Sequence, residues 1–266
     1  YSSQAGTLSS ASSRGGLSRR AFLFGGLVTA GVVVAGGGTL FVLQSQNHTA
    51  SLPPTSGTGK TPSPAATHAA SGPTFIARDD FHRPDQQLWG TATDGKNTWG
   101  NYTSSQDFSI VGQQGQILQN GNGGEVTAML GPAFQNGEVF VSGAVSNFQN
   151  NSQLGVALRW TDNNHYYKAY LDGQNFHLIK RMSTQVPISK SVGFQAQPGV
   201  SYSIRFRIVG DTMEAKAWQT GSSEPNGWML SAIDNNQPYA MGQSGIRTNV
   251  SHGVTVDITS FKLMSG

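Results

Sequence analysis

The chain has no cysteine among its 266 residues, which excludes a disulfide framework, a thiolate metal site and a cysteine nucleophile. That absence says nothing of compartment, because an exported domain of this size builds a core without cross-links. Charged residues are also scarce, at 12%, and glycine is abundant, with 34 residues, so a coiled coil is excluded. Acidic residues are missing altogether from the first 74 positions, which carry Arg14, Arg19, Arg20 and Lys60. Residues 75–266 hold 13 Lys+Arg against 14 Asp+Glu, a net charge of −1. A nucleic-acid binder concentrates positive charge on its folded domain. Here the excess lies outside it, and no nucleic-acid partner is expected.

What is present begins with a Ser/Gly-rich stretch, so residues 1–20 are expected to be a disordered basic segment. The chain opens on Tyr1 rather than Met, and an upstream part is expected. Ser18-Arg19-Arg20-Ala21-Phe22-Leu23 leads into an uncharged run over 21–43. Its 23 residues suffice for a helix to cross a hydrocarbon core of roughly 30 Å. Two readings stand: a twin-arginine-like export signal, or a single transmembrane helix whose basic flank stays in the cytoplasm. No small-x-small cleavage site follows, which favours an uncleaved membrane anchor. Both readings place the C-terminal part outside the cytoplasm. Residues 44–74 carry five Pro with many Ser and Thr and predict a flexible, disordered linker, reaching at most about 100 Å.

From Phe75 onward, period-two alternation replaces any helical pattern. The clearest stretch is Leu154–Arg181, predicted as a three-strand meander turning at Asp162-Asn163-Asn164 and Asp172-Gly173. Tyr202 to Ile208, Met213 to Ala217 and Val254 to Ile258 alternate as well, the last followed by an expected bulge at Thr259-Ser260. Gly121-Asn122-Gly123-Gly124 is expected to be a hairpin turn. About a dozen short strands imply an all-β, two-sheet antiparallel jelly-roll sandwich over residues 75–266. Trp89, Trp99 and Trp160 are expected in its core, Trp160 because it shares the parity of Val156 and Leu158.

Several stretches together resemble the concanavalin A-like lectin/glucanase jelly rolls, in particular their laminin-G-like and sugar-hydrolase-associated bacterial members. They are Asp79-Asp80-Phe81, Trp89-Gly90-Thr91-Ala92, Gly155 to Trp160 with Tyr166-Tyr167, Leu171-Asp172-Gly173, Gly199 to Arg205 and Pro225-Asn226-Gly227-Trp228. The resemblance covers 75–266. It implies two curved sheets, a concave face that often binds saccharide, and sometimes a structural calcium ion. In such folds the first and last strands lie side by side, which would bring Asp79 and Asp80 near Asp257 as Ca²⁺ ligands. The competing reading has the pair of aspartates blunting a sheet edge, with Asp257 solvated or paired to Arg78.

Glucanases of this fold carry Glu-x-Asp-x-x-Glu on one strand. Residues 75–266 contain only Glu125, Glu138, Glu214 and Glu224, none with an acidic partner two or three positions away in a strand. No Gly-x-Ser-x-Gly elbow or His-Glu-x-x-His pattern is present, and His82, His165, His177 and His252 stand singly. No catalytic residue is assigned. Saccharide recognition needs aromatic faces and planar polar groups. The polar faces of the predicted strands supply Arg159, Tyr166, Tyr170, Arg205, Arg207 and Trp218 as ligand contacts, with Lys168 and Lys216 beside them. The expectation is a membrane-anchored extracytoplasmic binding module for a glycan or another cell-surface ligand. A sugar-active hydrolase and a sensor ectodomain of a larger membrane protein, such as a receptor-type kinase, are the alternatives.

Overall fold

Apolar residues at every second position give each strand one face to bury, and a computed structural model of the chain turns those faces toward each other. It describes residues 74–266. The basic segment, the apolar run over 21–43 and the linker up to residue 73 lie outside the described residues. Chain order runs β1 (Phe75–Asp79), β2 (Gln86–Gln87), β3 (Phe108–Val111), β4 (Gln114–Leu118), β5 (Gly124–Phe134), β6 (Gly137–Val145) and β7 (Leu154–Asp162). It continues with β8 (His165–Leu171), β9 (Asn175–Met182), β10 (Gln185–Gly193), β11 (Ser201–Val209), β12 (Thr212–Gln219), β13 (Leu230–Ile233), β14 (Gly242–Val250) and β15 (Thr255–Ser265).

Nine strands form one sheet in the order β13-β12-β11-β6-β15-β4-β3-β2, with β1 also paired to β15. Six form the other, β10-β9-β8-β7-β14-β5. The expected meander is β7 to β9, and the first and last strands pair antiparallel, Asp79 opposite Phe261. A register shift between Ile258 and Ser260 marks the expected bulge.

Two local expectations differ from what is found, and one strand was not anticipated. Gly121–Gly124 is not a hairpin: β4 belongs to the nine-stranded sheet and β5 to the six-stranded one, so the turn crosses between layers. Gly123 there has φ +79°, and an added Cβ would sit 3.1 Å from backbone atoms of both Val250 and Ser251. Trp160 is half-exposed and outside the core, because the β7–β8 register breaks after Leu158 and Arg159 adopts φ +48°. One bulged residue reverses the parity of everything beyond it. β10 escaped prediction because it is an edge strand exposed along most of its length, with no apolar alternation, and it carries Pro187.

At the β1 end of the core Trp89, Trp99, Phe81, Phe108 and Phe261 pack as a chain of rings with centroids 4.7–5.9 Å apart. Asp79, 1% exposed, anchors it. Its carboxylate accepts from Arg83 Nη1 and Nη2 at 2.7 and 2.9 Å, from Trp99 Nε1 at 2.7 Å and from the Phe81 amide at 2.9 Å. Replacing Asp79 by Asn keeps the shape but removes the charge that Arg83 faces. The expected loss is about 2 kcal/mol of stability, measured as a lower chemical-denaturation midpoint with an unchanged slope.

Candidate functional site

The outer face of the six-stranded sheet carries a polar cleft built by strand parity. In β8, Tyr167, Ala169 and Leu171 enter the core, which leaves Tyr166, Lys168 and Tyr170 on the opposite face. β9 places His177, Ile179 and Arg181 beside them, cross-strand from Tyr170, Lys168 and Tyr166. β7 offers only Gly155 and Ala157 opposite Tyr170 and Lys168. Beyond it come Arg247 and Asn249 of β14, in register with Thr127 and Glu125 of β5.

The bare β7 floor is a packing requirement. A Cβ on Gly155 would lie 3.0 Å from Lys168 Cε and 3.2 Å from Tyr170 Cβ, and would collide with the Arg247 carbonyl. Over that floor Lys168 reaches across β7 and β14 to Glu125, with Nζ–Oε1 2.9 Å. Arg247 Nη2 donates to the other carboxylate oxygen at 2.8 Å, and the Tyr166 hydroxyl lies 3.3 Å from both. The Arg247 guanidinium stands 4.2 Å over the Tyr166 ring and also donates to Oδ1 and the carbonyl of Asn163, in the predicted β7–β8 turn. Gln153 accepts a second hydrogen bond from Lys168 at 2.8 Å.

Burial alone would raise the Glu125 pKa. The charges of Lys168 and Arg247 and the hydrogen bonds from Lys168 and Tyr166 outweigh it and hold the carboxyl below its ordinary value. Desolvation pulls Lys168 down, partly offset by Glu125. Glu125 is therefore an ionised acceptor, one-third exposed, at the base of a cleft of about 500 Å³. Gln153, Tyr166, Lys168, Tyr170, Arg181 and Asn249 line it too. Tyr170 is half-buried and stacks on His177 at 4.5 Å, with His177 Nε2 2.7 Å from Asp172.

The six residues expected as ligand contacts thus separate into three places. Tyr166 and Tyr170 are in this cleft. Arg205, Arg207 and Trp218 are on the outer face of the nine-stranded sheet, on the far side of the sandwich. There Arg205 pairs with Glu138 and Glu224, Arg207 with Glu214, and Lys216 with Glu224. Trp228 lies under both Arg207 and Lys216 at 4.9 Å, and Trp218 is 6.0 Å from Phe140. Arg159 is on neither face. It is 2% exposed and donates to the carbonyls of Gln135, Gly210 and Tyr239 at 2.7–2.8 Å, tying three connections together at one end of the sandwich.

The donors for calcium do not converge. Asp79 spends its oxygens on Arg83, Trp99 and the Phe81 amide, the Asp80 carboxylate accepts from the His82 amide while its own amide donates to Thr93 Oγ1, and Asp257 accepts from Gln116. Asp79 faces Phe261, four positions along β15 from Asp257. Among the described residues no three His, Cys, Asp or Glu side chains gather as a ligand set. These aspartates do not fit a Ca²⁺ site, which needs six or more converging oxygens.

Sequence reasoning left Glu125 as an isolated acid and did not single out Arg247 or Arg181. Their common signal is position: each is the outward residue next to an inward Val126, Ile246 or Lys180. Glycosidic hydrolysis needs two carboxylates flanking the bond about 5–10 Å apart. Among the residues lining the cleft, Glu125 is the sole carboxylate.

No family model matches the chain, and no curated protein matches it. Solved structures do. A carbohydrate-binding module of family CBM66 from Bacillus subtilis aligns at 12% identity over 61% of this chain and 94% of that one, TM-score 0.47. A glycosyl hydrolase family protein from Mycobacterium fortuitum aligns at 10% identity over 71% and 99%, TM-score 0.48. A non-specific endo-β-1,3(4)-glucanase of family GH16 aligns at 10% over 72% and 91%, TM-score 0.50. At these identities the likeness speaks to the fold, and the fold is the concanavalin A-like β-sandwich.

Proposed function

We propose that the β-sandwich is a non-catalytic carbohydrate-binding module, and that the cleft over β7 is where the sugar sits. The observation that carries this reading is Glu125: an ionised, partly exposed carboxylate held by Lys168, Arg247 and Tyr166, with polar Gln153 and Asn249 alongside. A carboxylate accepts two hydrogen bonds per oxygen. Lys168 and Arg247 occupy one position on each and the single proton of the Tyr166 hydroxyl takes a third, which leaves one position to accept from a sugar hydroxyl. The Tyr170 ring is already stacked on His177, with Lys168 Nζ 4.8 Å from its centroid, so recognition here rests on the polar groups. With no second carboxylate in the lining and Glu125 held ionised, the site lacks the protonated carboxyl that glycosidic cleavage uses as its acid, which supports binding without cleavage.

The rest of the reading rests on sequence. The Arg19-Arg20 pair followed by the uncharged run over 21–43 supports a membrane anchor, with the Pro/Ser/Thr segment lifting the module off an extracytoplasmic surface.

The test is glycan-array binding of the whole chain beside its Trp218→Ala variant. Wild-type binding that persists in W218A supports the six-stranded face, whereas loss in W218A moves the site to the opposite sheet. The pH profile has a definite sign. Because the Glu125 pKa is depressed, the binding-competent carboxylate persists below the ordinary value of 4.5. Binding should stay level from about pH 8 to about pH 5 and fall only below 4.5. A midpoint near 6 would place a histidine, not Glu125, in control.

A further inference from the structure

The cleft carries more positive charge than its own network uses. Lys168 and Arg247 are paired with Glu125, and each has neutral acceptors besides. Arg181 lines the same cleft, cross-strand from Tyr166, and among the described residues it enters no ion pair. Its Nε is buried without a hydrogen-bond partner. Arg205, Arg207 and Arg247 share that feature at Nε, so it is the missing ion pair that sets Arg181 apart from Lys168 and Arg247. Arg181 is close enough to oppose the charge on Lys168 and to bias the Tyr166 hydroxyl, so it belongs electrostatically to the Glu125 cluster.

Three cations around one carboxylate give the cleft a net charge of +2, on a sandwich whose residues 75–266 total −1. By contrast, the arginines of the opposite face are matched by Glu138, Glu214 and Glu224. The surplus is therefore local, and it faces the space where a ligand would enter.

We propose that the cleft takes an acidic saccharide, a hydroxyl received by Glu125 and its carboxylate by the Arg181 guanidinium. This inference rests on the carbohydrate-binding reading and sharpens it. A guanidinium is a planar fork of donors that matches a carboxylate in two-point fashion and stays charged at every physiological pH. Sulfate esters share the anionic chemistry, so the two sources must be separated by experiment.

The whole chain, wild type and Arg181→Gln, is applied to an array of neutral, uronate-bearing and sulfated oligosaccharides at low and high salt. Thermal unfolding of both proteins checks that the variant is folded. The expected result is uronate binding at least about tenfold above neutral sugars at low salt, a preference that shrinks as salt rises. In R181Q that ratio should collapse about tenfold. A preference for uronates that survives in R181Q overturns the assignment of Arg181. Stronger binding of sulfated than of uronate sugars overturns the carboxylate. Equal binding of neutral and acidic sugars overturns the inference while leaving the module a carbohydrate binder, and no binding by the wild type to any class overturns both.

Discussion

Lys180→Met should destabilise the sandwich by about 3–5 kcal/mol, lowering its thermal midpoint by on the order of 10 °C. Lys180 lies on β9 on the core side of the six-stranded sheet and is fully buried. Its ammonium is 2.6 Å from Asp234 Oδ2 and donates to the carbonyls of Asn236 and Gln237 at 2.7 and 2.8 Å. The Tyr167 hydroxyl donates to the same carboxylate at 2.6 Å and accepts from the Tyr239 amide at 3.0 Å. The network fastens the 234–241 connection between β13 and β14 to the inside of β9. Methionine keeps the stem volume and removes the charge, so the Asp234 carboxyl loses its counter-charge where water cannot reach it. A burial penalty without its compensating partner dominates the loss. Adding Asp234→Asn should recover a large part of it, because the neutral amide still accepts from Tyr167. Thermal unfolding of both variants checks this. A single-variant loss below about 1 kcal/mol would mean that the pair is not dry.

Glu125→Gln has the largest expected effect on ligand binding. The substitution retains the side-chain shape and one acceptor oxygen, but it removes the charge and puts an amide donor against Lys168 or Arg247. Charge-assisted hydrogen bonds contribute about 1.5–3 kcal/mol each, so affinity should fall by roughly ten- to a hundredfold. Titration calorimetry of E125Q against a glycan bound by the wild type measures this. Since Lys168 and Arg247 lose their carboxylate, a modest stability loss should accompany it and is read separately by thermal unfolding. Unchanged affinity would remove Glu125 from the site.

Alternation made most of the sandwich legible. Val156 and Leu158, Tyr202 to Ile208, and Val254 to Ile258 are half-buried strands whose two faces differ in chemistry, so both strand and face follow from sequence. Where that contrast fails, so does the reading. β10 is exposed along nearly its whole length and β14 runs Gly-Gln-Ser-Gly-Ile-Arg-Thr-Asn-Val, with little apolar contrast to mark its inward side. Arg247 was hidden for that reason. Arg159 was misplaced because a single left-handed residue in β7 turned its side chain toward the end of the sandwich. The grouping of Tyr166 with Arg205 and Trp218 failed for a different reason: strand parity gives a face within each strand, but not which of two sheets the strand joins. That choice is made by pairings such as Ile246 with Val156 and Glu125 with Asn249, which are remote in sequence.

The position of β15 also bears on how the domain is made. It is the last strand of the described residues, yet it is not at an edge: it pairs with β1, β4 and β6, while β14 before it fills the gap between β5 and β7. Each sheet therefore has an internal slot that only one of the last two strands can occupy. As the polypeptide leaves the ribosome, β1, β4, β5, β6 and β7 emerge with unpaired edges and wait. Closure is a single late event dominated by contacts distant in sequence, which favours slow, all-or-none folding. Until β14 and β15 arrive, the Glu125 cluster has no Arg247, and the ring of aromatic side chains around Asp79 has no Phe261.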